Sequence, residues 1–423
     1  MIKYVKIIVC FFLVLLAFSC NRTIKKEIHN TVNEQLDLSA KDILGNPEYL
    51  AMSYGGYRHN DHNIEPTLAE LKEDMKLLAA IGVKFIRTYK VHKPQAENAL
   101  KAITELKKED SSFEMYVMLG AWIDCKNAFT DQPRDHNVES EANIPQMEKA
   151  VALANQYPDI VKVIAVGNEA MVKWAESYYV EPWIILKWVN YLQDLKKEGK
   201  LSKDLWITSS DNFASWGGGG DEYHVEDLNK LIHAVDYISM HTYPMHDTHY
   251  QPEFWLKSER QGEMTDLEKT DAAMLRAKNY AQMQFENVKK YMKSLGIDKP
   301  IHIGETGWAS LSIGHYGPDG SKACDEYKEA LYYQHMREWT NEAGLSCFYF
   351  EGFDEPWKGG DNAGNSEKHF GLMTVDGKAK FALWDKVDKG VFKGLTRNGN
   401  PITKTYNGDK EALMKDVLVP PKH

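Results

Sequence analysis

Several features that define other classes of protein are scarce or missing in this 423-residue sequence. Asp and Glu (61) outnumber Lys and Arg (51), and the formal net charge is −10. A negative chain without long runs of one charge disfavours a nucleic-acid partner and fits a neutral substrate. The chain also lacks a glycine-rich dinucleotide turn, a phosphate loop and a nucleophile elbow, which argues against hydride, phosphoryl and acyl transfer.

Cysteine is also scarce, with five residues in the whole chain. Cys10 and Cys20 lie in the N-terminal leader, so three remain for the fold: Cys125, Cys324 and Cys347. An odd number cannot all pair, and their spacing matches no zinc or redox motif. We expect three buried thiols, with one disulfide as the alternative.

Histidine pairs give no stronger indication of a metal. His59 with His62, and His246 with His249, have a spacing that suits a metal ion, but neither pair has a third convergent ligand in the sequence. We therefore expect no metal and no cofactor.

The first 20 residues have the pattern of an export signal. Lys3 and Lys6 precede an apolar stretch from Ile7 to Phe18, which ends before Cys20. A small residue followed by cysteine resembles the lipobox of bacterial lipoproteins, with residues 1–19 as signal peptide and Cys20 acylated. An ordinary cleaved signal is the alternative. We expect residues 20–45 to form a polar tether and the exported protein to be held at the cell envelope by its lipid.

From Leu50 onward, short β-branched or aromatic runs alternate with longer amphipathic helical patterns. This alternation is typical of parallel βα units. Eight strands are predicted, at Leu50–Tyr54, Lys84–Thr88, Met115–Leu119, Val163–Val166, Trp206–Ser209, Tyr237–His241, Ile301–Gly304 and Cys347–Phe350. Eight repeats favour an α/β fold of the closed (β/α)8 type, a TIM barrel, over an open doubly wound sheet. We place this single domain at 46–390, with a short C-terminal extension at 391–423.

The helical patterns between these strands have apolar residues at three- and four-residue spacing. They predict helices at Thr67–Ile81, Gln95–Lys108, Ile144–Tyr157, Pro182–Lys197, Val225–Val235, Ala272–Leu295 and Lys322–Glu342.

Two of the predicted strands end in a glutamate directly after an apolar run. Glu169 follows the fourth strand and Glu305 follows the seventh. Either residue alone also fits a helix-capping neighbour or an ion pair. Together, on strands three apart in a closed barrel, they can face each other across the mouth. Retaining glycoside hydrolysis requires two such carboxyl groups, about 5–5.5 Å apart. Asn168, beside Glu169, has an amide that can donate to a sugar 2-hydroxyl.

Three segments around these strand ends resemble glycoside hydrolase family 17: Val166–Glu169, Gly304–Ser310, and Phe350–Lys358 followed by Glu367–Leu372. The resemblance runs from about Tyr54 to about Leu383. It implies that Glu169 is the acid/base, Glu305 is the nucleophile and the substrate is a β-1,3-linked glucan. The chain departs from the family pattern at Ala309, where proline is usual, and in its first strand.

A glucan cleft combines flat aromatic rings with hydrogen-bonding side chains. Aromatic residues end or follow nearly every predicted strand, although any one of them also fits packing: Tyr54, Tyr89, Trp122, Trp216, Tyr243, Trp308, Phe353 and Trp357. Arg87 is placed to hold Glu305 through a bidentate pair. Glu355 and Lys358 match polar positions of the family's eighth strand, where they would contact sugar hydroxyls, with a plain surface ion pair as the alternative.

The prediction is therefore an endo-acting, retaining β-1,3-glucanase, acting as a monomer on a polysaccharide. Transglycosylation would use the same residues, because a second sugar replaces water as the acceptor. A non-catalytic glycan-binding lipoprotein on the same barrel is the third hypothesis.

Overall fold

The computed structural model describes residues 38–256, 262–313 and 322–418. The predicted signal peptide, Cys20 and most of the predicted tether lie outside these residues. Within the described ranges, no helix has the length and apolar character needed to cross a membrane.

Eight parallel strands close into a barrel, as predicted. The first and last strands pair through Met52 and Tyr349, which completes the ring. We number the barrel strands β1 (Leu50–Ser53), β2 (Val83–Arg87), β3 (Tyr116–Ala121), β4 (Val161–Asn168), β5 (Trp206–Asn212), β6 (Ile238–His241), β7 (Ile301–Thr306) and β8 (Cys347–Tyr349).

Seven long helices connect successive strands. They are Leu68–Ala80, Pro94–Glu109, Asn143–Gln156, Pro182–Lys197, Glu226–Ala234, Asp266–Ser294 and Glu326–Glu342. The shorter helices are Ala40–Ile43, Pro244–Thr248, Pro252–Leu256, Trp384–Asp388 and Lys410–Lys415. A long irregular segment follows β8 before the short helix Trp384–Asp388, so the eighth unit departs from the regular pattern.

Local sequence explains where the helices begin. Thr67 accepts a hydrogen bond from the backbone of Glu70, and the Glu70 carboxylate accepts one from the Thr67 amide. This capping box starts the first long helix where it is predicted. Thr265 and Glu268 form the same box. They start the sixth long helix at Asp266, six residues before the predicted start, because its polar first turn hides the helical pattern.

The floor of the barrel is apolar. Ala40 and Ile43 are fully buried with strand residues Ala51, Phe85 and Phe348. The Gly45 amide also donates to Ser346 Oγ at 2.9 Å. The tether predicted for 20–45 is therefore wrong at its end: residues 38–45 belong to the folded domain, because burying their apolar side chains outweighs the polar character of the surrounding sequence.

The C-terminal extension packs against the first βα unit. Arg397 lies in a small antiparallel hairpin, Thr396–Arg397 with Asn400–Pro401, and is fully buried. Its Nε donates to Asp74 Oδ1 at 3.0 Å, and Tyr54 donates its hydroxyl to Asp74 Oδ2 at 3.0 Å. The extension therefore supports the strand that carries Tyr54.

Cys125, Cys324 and Cys347, the cysteines of the described residues, are buried thiols and form no disulfide. The prediction of thiols rather than a disulfide is confirmed for these residues.

Candidate active site

The two glutamates lie where their strands reach the carboxyl end of the barrel. Glu305 is inside β7, and Glu169 directly follows β4. The chain turns sharply at the end of β4, since Gly167 and Glu169 have φ values of 79° and 47°. The Glu169 amide donates to Ser210 O at 3.0 Å, which ties this turn to β5. A non-glycine residue with positive φ is uncommon and points to a functional position.

Both glutamates line one cleft, which continues on either side of them. One half, called here the Trp174 half, has a volume of about 450 Å³ and is also lined by Trp174, Asn212, Tyr243, His246, Asp247 and Phe370. The other, the Trp357 half, has a volume of about 280 Å³ and is also lined by Tyr54, Tyr57, His62, Tyr89, Lys90, Lys93, Gln95, Trp122, Asn168, Glu355, Trp357 and Lys358. Phe350 and Glu367 join the two glutamates in both halves.

Glu305 is surrounded by three hydrogen-bond donors from two other strand ends, those of β2 and β6. Arg87 donates to its Oε2 at 2.6 Å and Tyr89 to the same oxygen at 2.9 Å. Tyr243 donates its hydroxyl to Oε1 at 2.5 Å. The predicted bidentate pair with Arg87 is wrong, because the second guanidinium nitrogen donates to Asn168 Oδ1 instead. One arginine thus fixes both Glu305 and the neighbour of Glu169.

Glu169 has a different environment. Its Oε1 lies 3.1 Å from Nδ1 of His241, the last residue of β6. The other ring nitrogen, Nε2, lies 3.2 Å from Arg87 and 2.8 Å from Ser210 Oγ. Since a guanidinium carries only donors, Nε2 accepts and the proton of a neutral imidazole sits on Nδ1. His241 therefore donates to Glu169 Oε1, which leaves Oε2 to carry a carboxyl proton.

These environments shift the two carboxyl groups in opposite directions. Burial, followed by the charge of Glu305, raises the pKa of Glu169 to about 8. Burial alone would also raise the pKa of Glu305. His241, when its ring is charged at low pH, and Arg87, together with the Tyr243 and Tyr89 hydroxyls, outweigh that effect and hold the pKa of Glu305 below its ordinary value. Burial lowers the pKa of His241 to about 4, so its ring is neutral at neutral pH. The site thus holds one protonated and one ionised carboxyl group.

The remaining polar residues singled out from the sequence reach the Trp357 half. Asn168 accepts from Arg87 through Oδ1, so its Nδ2 is left to donate into the cleft. Lys358 Nζ lies 2.9 Å from Glu355 Oε2, and Glu355 Oε1 accepts from the Tyr57 amide at 3.0 Å. Glu355 and Lys358 therefore form an ion pair, which was the alternative prediction. The pair is buried in the cleft wall, however, and does not lie on the surface.

Three aromatic residues predicted to contact substrate lie behind the cleft. Trp216 is fully buried and donates its indole N–H to Ser239 O at 3.1 Å. Trp308 is fully buried and donates its indole N–H to Ala323 O at 2.8 Å. Phe353 is buried with its ring edge-on to Tyr54 and 4.1 Å from the Arg397 guanidinium carbon. All three predictions are wrong, because these side chains are buried in the packing behind the strand ends. Tyr54, Tyr89 and Tyr243 do line the cleft.

Several cleft residues were missed in the sequence. His241 ends a predicted strand, so the rule that strand ends carry the site already pointed to it. Trp174, with 61% of its surface exposed, and Glu367 lie on long loops, where sequence periodicity carries no signal.

A closed barrel with paired carboxyl groups of opposite ionisation in a cleft at its carboxyl end defines a glycoside hydrolase. The model of the family described as "BtgE/BtgC glycoside hydrolase domain" matches residues 51–371, and the chain belongs to this family. The predicted resemblance to glycoside hydrolase family 17 is confirmed.

Known proteins are similar over most of the chain. The crystal structure of an endo-laminarinase from Formosa Hel1_33_131 is 67% identical, with 91% of this chain and 98% of that chain covered and a TM-score of 0.89. A glucan 1,3-beta-glucosidase of Arthroderma benhamiae is 27% identical over 330 residues, which cover 76% of this chain and 86% of that protein. A family 17 beta-1,3-glucanosyltransferase from Rhizomucor miehei shares the fold, with 19% identity, a TM-score of 0.51 and coverage of 79% and 96%. The matches span only 36% to 45% of the length of relatives from Aspergillus.

Proposed function

We propose that this protein cleaves β-1,3-glucan internally with retention of configuration, with Glu305 as nucleophile and Glu169 as acid/base. The observation that carries the proposal is that both carboxyl groups line one cleft while their pKa values are shifted in opposite directions. A retaining mechanism needs this division of roles.

In the first step, an oxygen of Glu305 attacks the anomeric carbon and the bond to the leaving sugar breaks. Glu169 gives its proton to the departing oxygen, which keeps the electron pair of the broken bond and leaves as a neutral hydroxyl group. Asn168 Nδ2 donates to the 2-hydroxyl of the attacked sugar, since Arg87 fixes the orientation of the amide. The glycone then occupies the Trp357 half, which Asn168 lines, and the leaving chain occupies the Trp174 half.

In the second step, the ionised Glu169 removes a proton from water, which attacks the anomeric carbon and releases Glu305. The charge of Glu305 is one of the causes that raise the pKa of Glu169. The ester formed in the first step has no such charge, so the pKa of Glu169 falls when a base is required.

Two further observations support the substrate. The cleft continues on both sides of the glutamates, which suits a bond inside a chain. The similar structure at 67% identity is titled an endo-laminarinase. Chain-end cleavage would instead suit a cleft that is closed on one side.

The decisive experiment is digestion of unbranched β-1,3-glucan, with mixed-linkage glucan and cellulose as comparison substrates. We expect internal cleavage of the first, a first-formed product with the β configuration by NMR, and ¹⁸O from labelled water in each new reducing end. Glu305→Gln serves as the matched inactive control. An α-configured first product, or cleavage of cellulose alone, would contradict the proposal.

The same digestion separates hydrolysis from sugar transfer, in which a second glucan replaces water at the glycosyl enzyme. Mass spectrometry of products from a single β-1,3-oligosaccharide gives the answer. Products longer than the substrate and free of ¹⁸O would make transfer the main activity. Binding without turnover in any of these assays would support the non-catalytic hypothesis.

We further propose that the protein is exported and acylated at Cys20. The support is the sequence alone: Lys3 and Lys6, the apolar stretch from Ile7 to Phe18, and the cysteine that follows. Labelling with a radioactive fatty acid should mark the full-length chain expressed in a bacterium, and Cys20→Ser should remove both the label and the membrane association. Absence of label from both proteins, or release of the wild type as soluble protein, would indicate an ordinary cleaved signal.

A further inference from the structure

A second group of aromatic side chains borders the cleft on the segments that follow β3 and β4. The segment after β3 contains a small antiparallel hairpin, Cys125–Lys126 with Asp135–Glu139, and Tyr178 lies in the segment after β4. Phe129, in the turn of this hairpin, exposes 59% of its surface and has a φ of 57°. An exposed aromatic ring held in a rarely adopted backbone conformation costs free energy, so its position calls for an explanation.

Three rings form a compact cluster at the cleft wall. Trp122 lines the cleft, and its ring centroid lies 5.1 Å from that of Tyr178 and 6.3 Å from that of Phe129. The Tyr178 ring stacks on Phe129 at 5.4 Å with an interplanar angle of 24°. We call Trp122, Tyr178 and Phe129 the aromatic cluster.

The aromatic cluster is held by backbone and side-chain hydrogen bonds. The Phe129 amide donates to Ser177 O and the Cys125 amide to Tyr178 O, both at 3.1 Å. Within the turn, Asn127 donates its side-chain amide to Pro133 O at 2.7 Å. The rings are therefore held before any ligand arrives, which lowers the entropy cost of binding to them.

We infer that the aromatic cluster is an additional glucan-binding site, on which the apolar faces of sugar rings outside the cleft stack. The inference rests on the proposed function and extends it to chain length. Contact with the cleft selects this occupant: Trp122 belongs to the cleft wall, and the other two rings pack against it and against each other. Lys90 Nζ lies 4.1 Å from the Trp122 ring centroid, so a charged donor for sugar hydroxyls borders the cluster on its cleft side.

The test is the dependence of activity on chain length. Phe129→Ala should lower kcat/KM on laminarin about fivefold and on laminaritriose less than twofold, because only a long chain reaches the ring. Phe129→Leu keeps an apolar side chain but no flat face and should behave like the alanine variant. Phe129→Tyr should retain activity on laminarin. The matched control is Tyr250→Ala, which removes a ring with 60% exposure that does not line the cleft.

Binding should follow the same pattern without turnover. In a Glu305→Gln background, Phe129→Ala should reduce retardation in a gel containing laminarin, whereas Tyr250→Ala should not. Equal losses on short and long substrates, or no loss in either assay, would overturn the inference. If the wild type cleaves laminarin and the Phe129 variants match it in both assays, the inference alone is wrong. If the wild type is inactive, the proposed function is wrong, and the gel assay alone tests the aromatic cluster. Capture of a partner protein that depends on Phe129 and does not require laminarin would also overturn the inference.

Discussion

The ends of β4 and β7 give the same signal in the sequence, an apolar run followed by glutamate, but they create different environments. Their side chains are similarly shielded, with 15% of Glu169 and 9% of Glu305 exposed. Arg87, Tyr89 and Tyr243 all donate to Glu305, whereas among the described residues only His241 hydrogen-bonds to the Glu169 carboxyl group. Burial is thus common to both groups, and the donors decide which one stays ionised.

The strongest test of this difference removes the charge at the end of β7. Glu305→Gln keeps the shape and should lower kcat/KM on β-1,3-glucan on the order of 10⁴-fold, because no nucleophile remains. Mass spectrometry after incubation with a 2-deoxy-2-fluoro laminaribioside carrying a dinitrophenyl leaving group should place the label on Glu305 of the wild type. Glu338→Gln, on an outer helix, is the control and should retain activity. A label on any other residue would contradict the assignment.

The end of β4 should respond in another way. Glu169→Gln removes the acid and should lower activity on glucan by about 10²- to 10⁴-fold. Dinitrophenyl glycosides need no acid for departure, so their first step should be far less affected, and azide should rescue turnover with a β-glycosyl azide as product. An equal loss on both types of substrate would show that Glu169 does not act as the acid.

Arg87 links the two ends and should therefore affect pH dependence. In the wild type, kcat/KM should fall as Glu305 becomes protonated at low pH and as Glu169 loses its proton near pH 8. The positive charge of Arg87 lowers the pKa of both groups. Arg87→Met should thus move both limbs of the profile to higher pH and lower the maximum by roughly tenfold to a hundredfold.

Tyr243→Phe is the comparison for Arg87→Met. It removes one hydrogen bond to Glu305 but no charge, so its acidic limb should move less. The profile is measured as kcat/KM against pH on one oligosaccharide. Unchanged limbs in Arg87→Met would show that the arginine positions groups without setting their ionisation.

The sequence predicts the barrel well because each strand and helix is specified locally. Apolar runs such as Val163–Val166 and capping boxes such as Thr67 with Glu70 act over a few residues. The place of Glu169 and Glu305 follows from the fold alone, since parallel strands bring their carboxyl ends to one face. The direction in which an aromatic ring points does not follow, because it depends on packing between distant segments. Arg397, for example, covers Phe353 from the C-terminal extension.

Trp174 and Trp308, which follow β4 and β7, test the difference between an aromatic ring that lines the cleft and one that is buried behind it. Their expected effects on activity are the smallest. Trp308 follows β7 and is fully buried, whereas Trp174 follows β4 and lines the cleft with 61% exposure. Trp174→Ala should raise KM for glucan about threefold to tenfold by removing apolar contact area, with little change in thermal stability. Trp308→Phe should reduce the free energy of unfolding by about 1–3 kcal/mol through a cavity and a lost hydrogen bond, and change KM less. Denaturant unfolding and initial rates on the same preparations separate the two effects. If Trp308→Phe raised KM as much as Trp174→Ala without loss of stability, the sequence-based placement of Trp308 in the substrate cleft would be right.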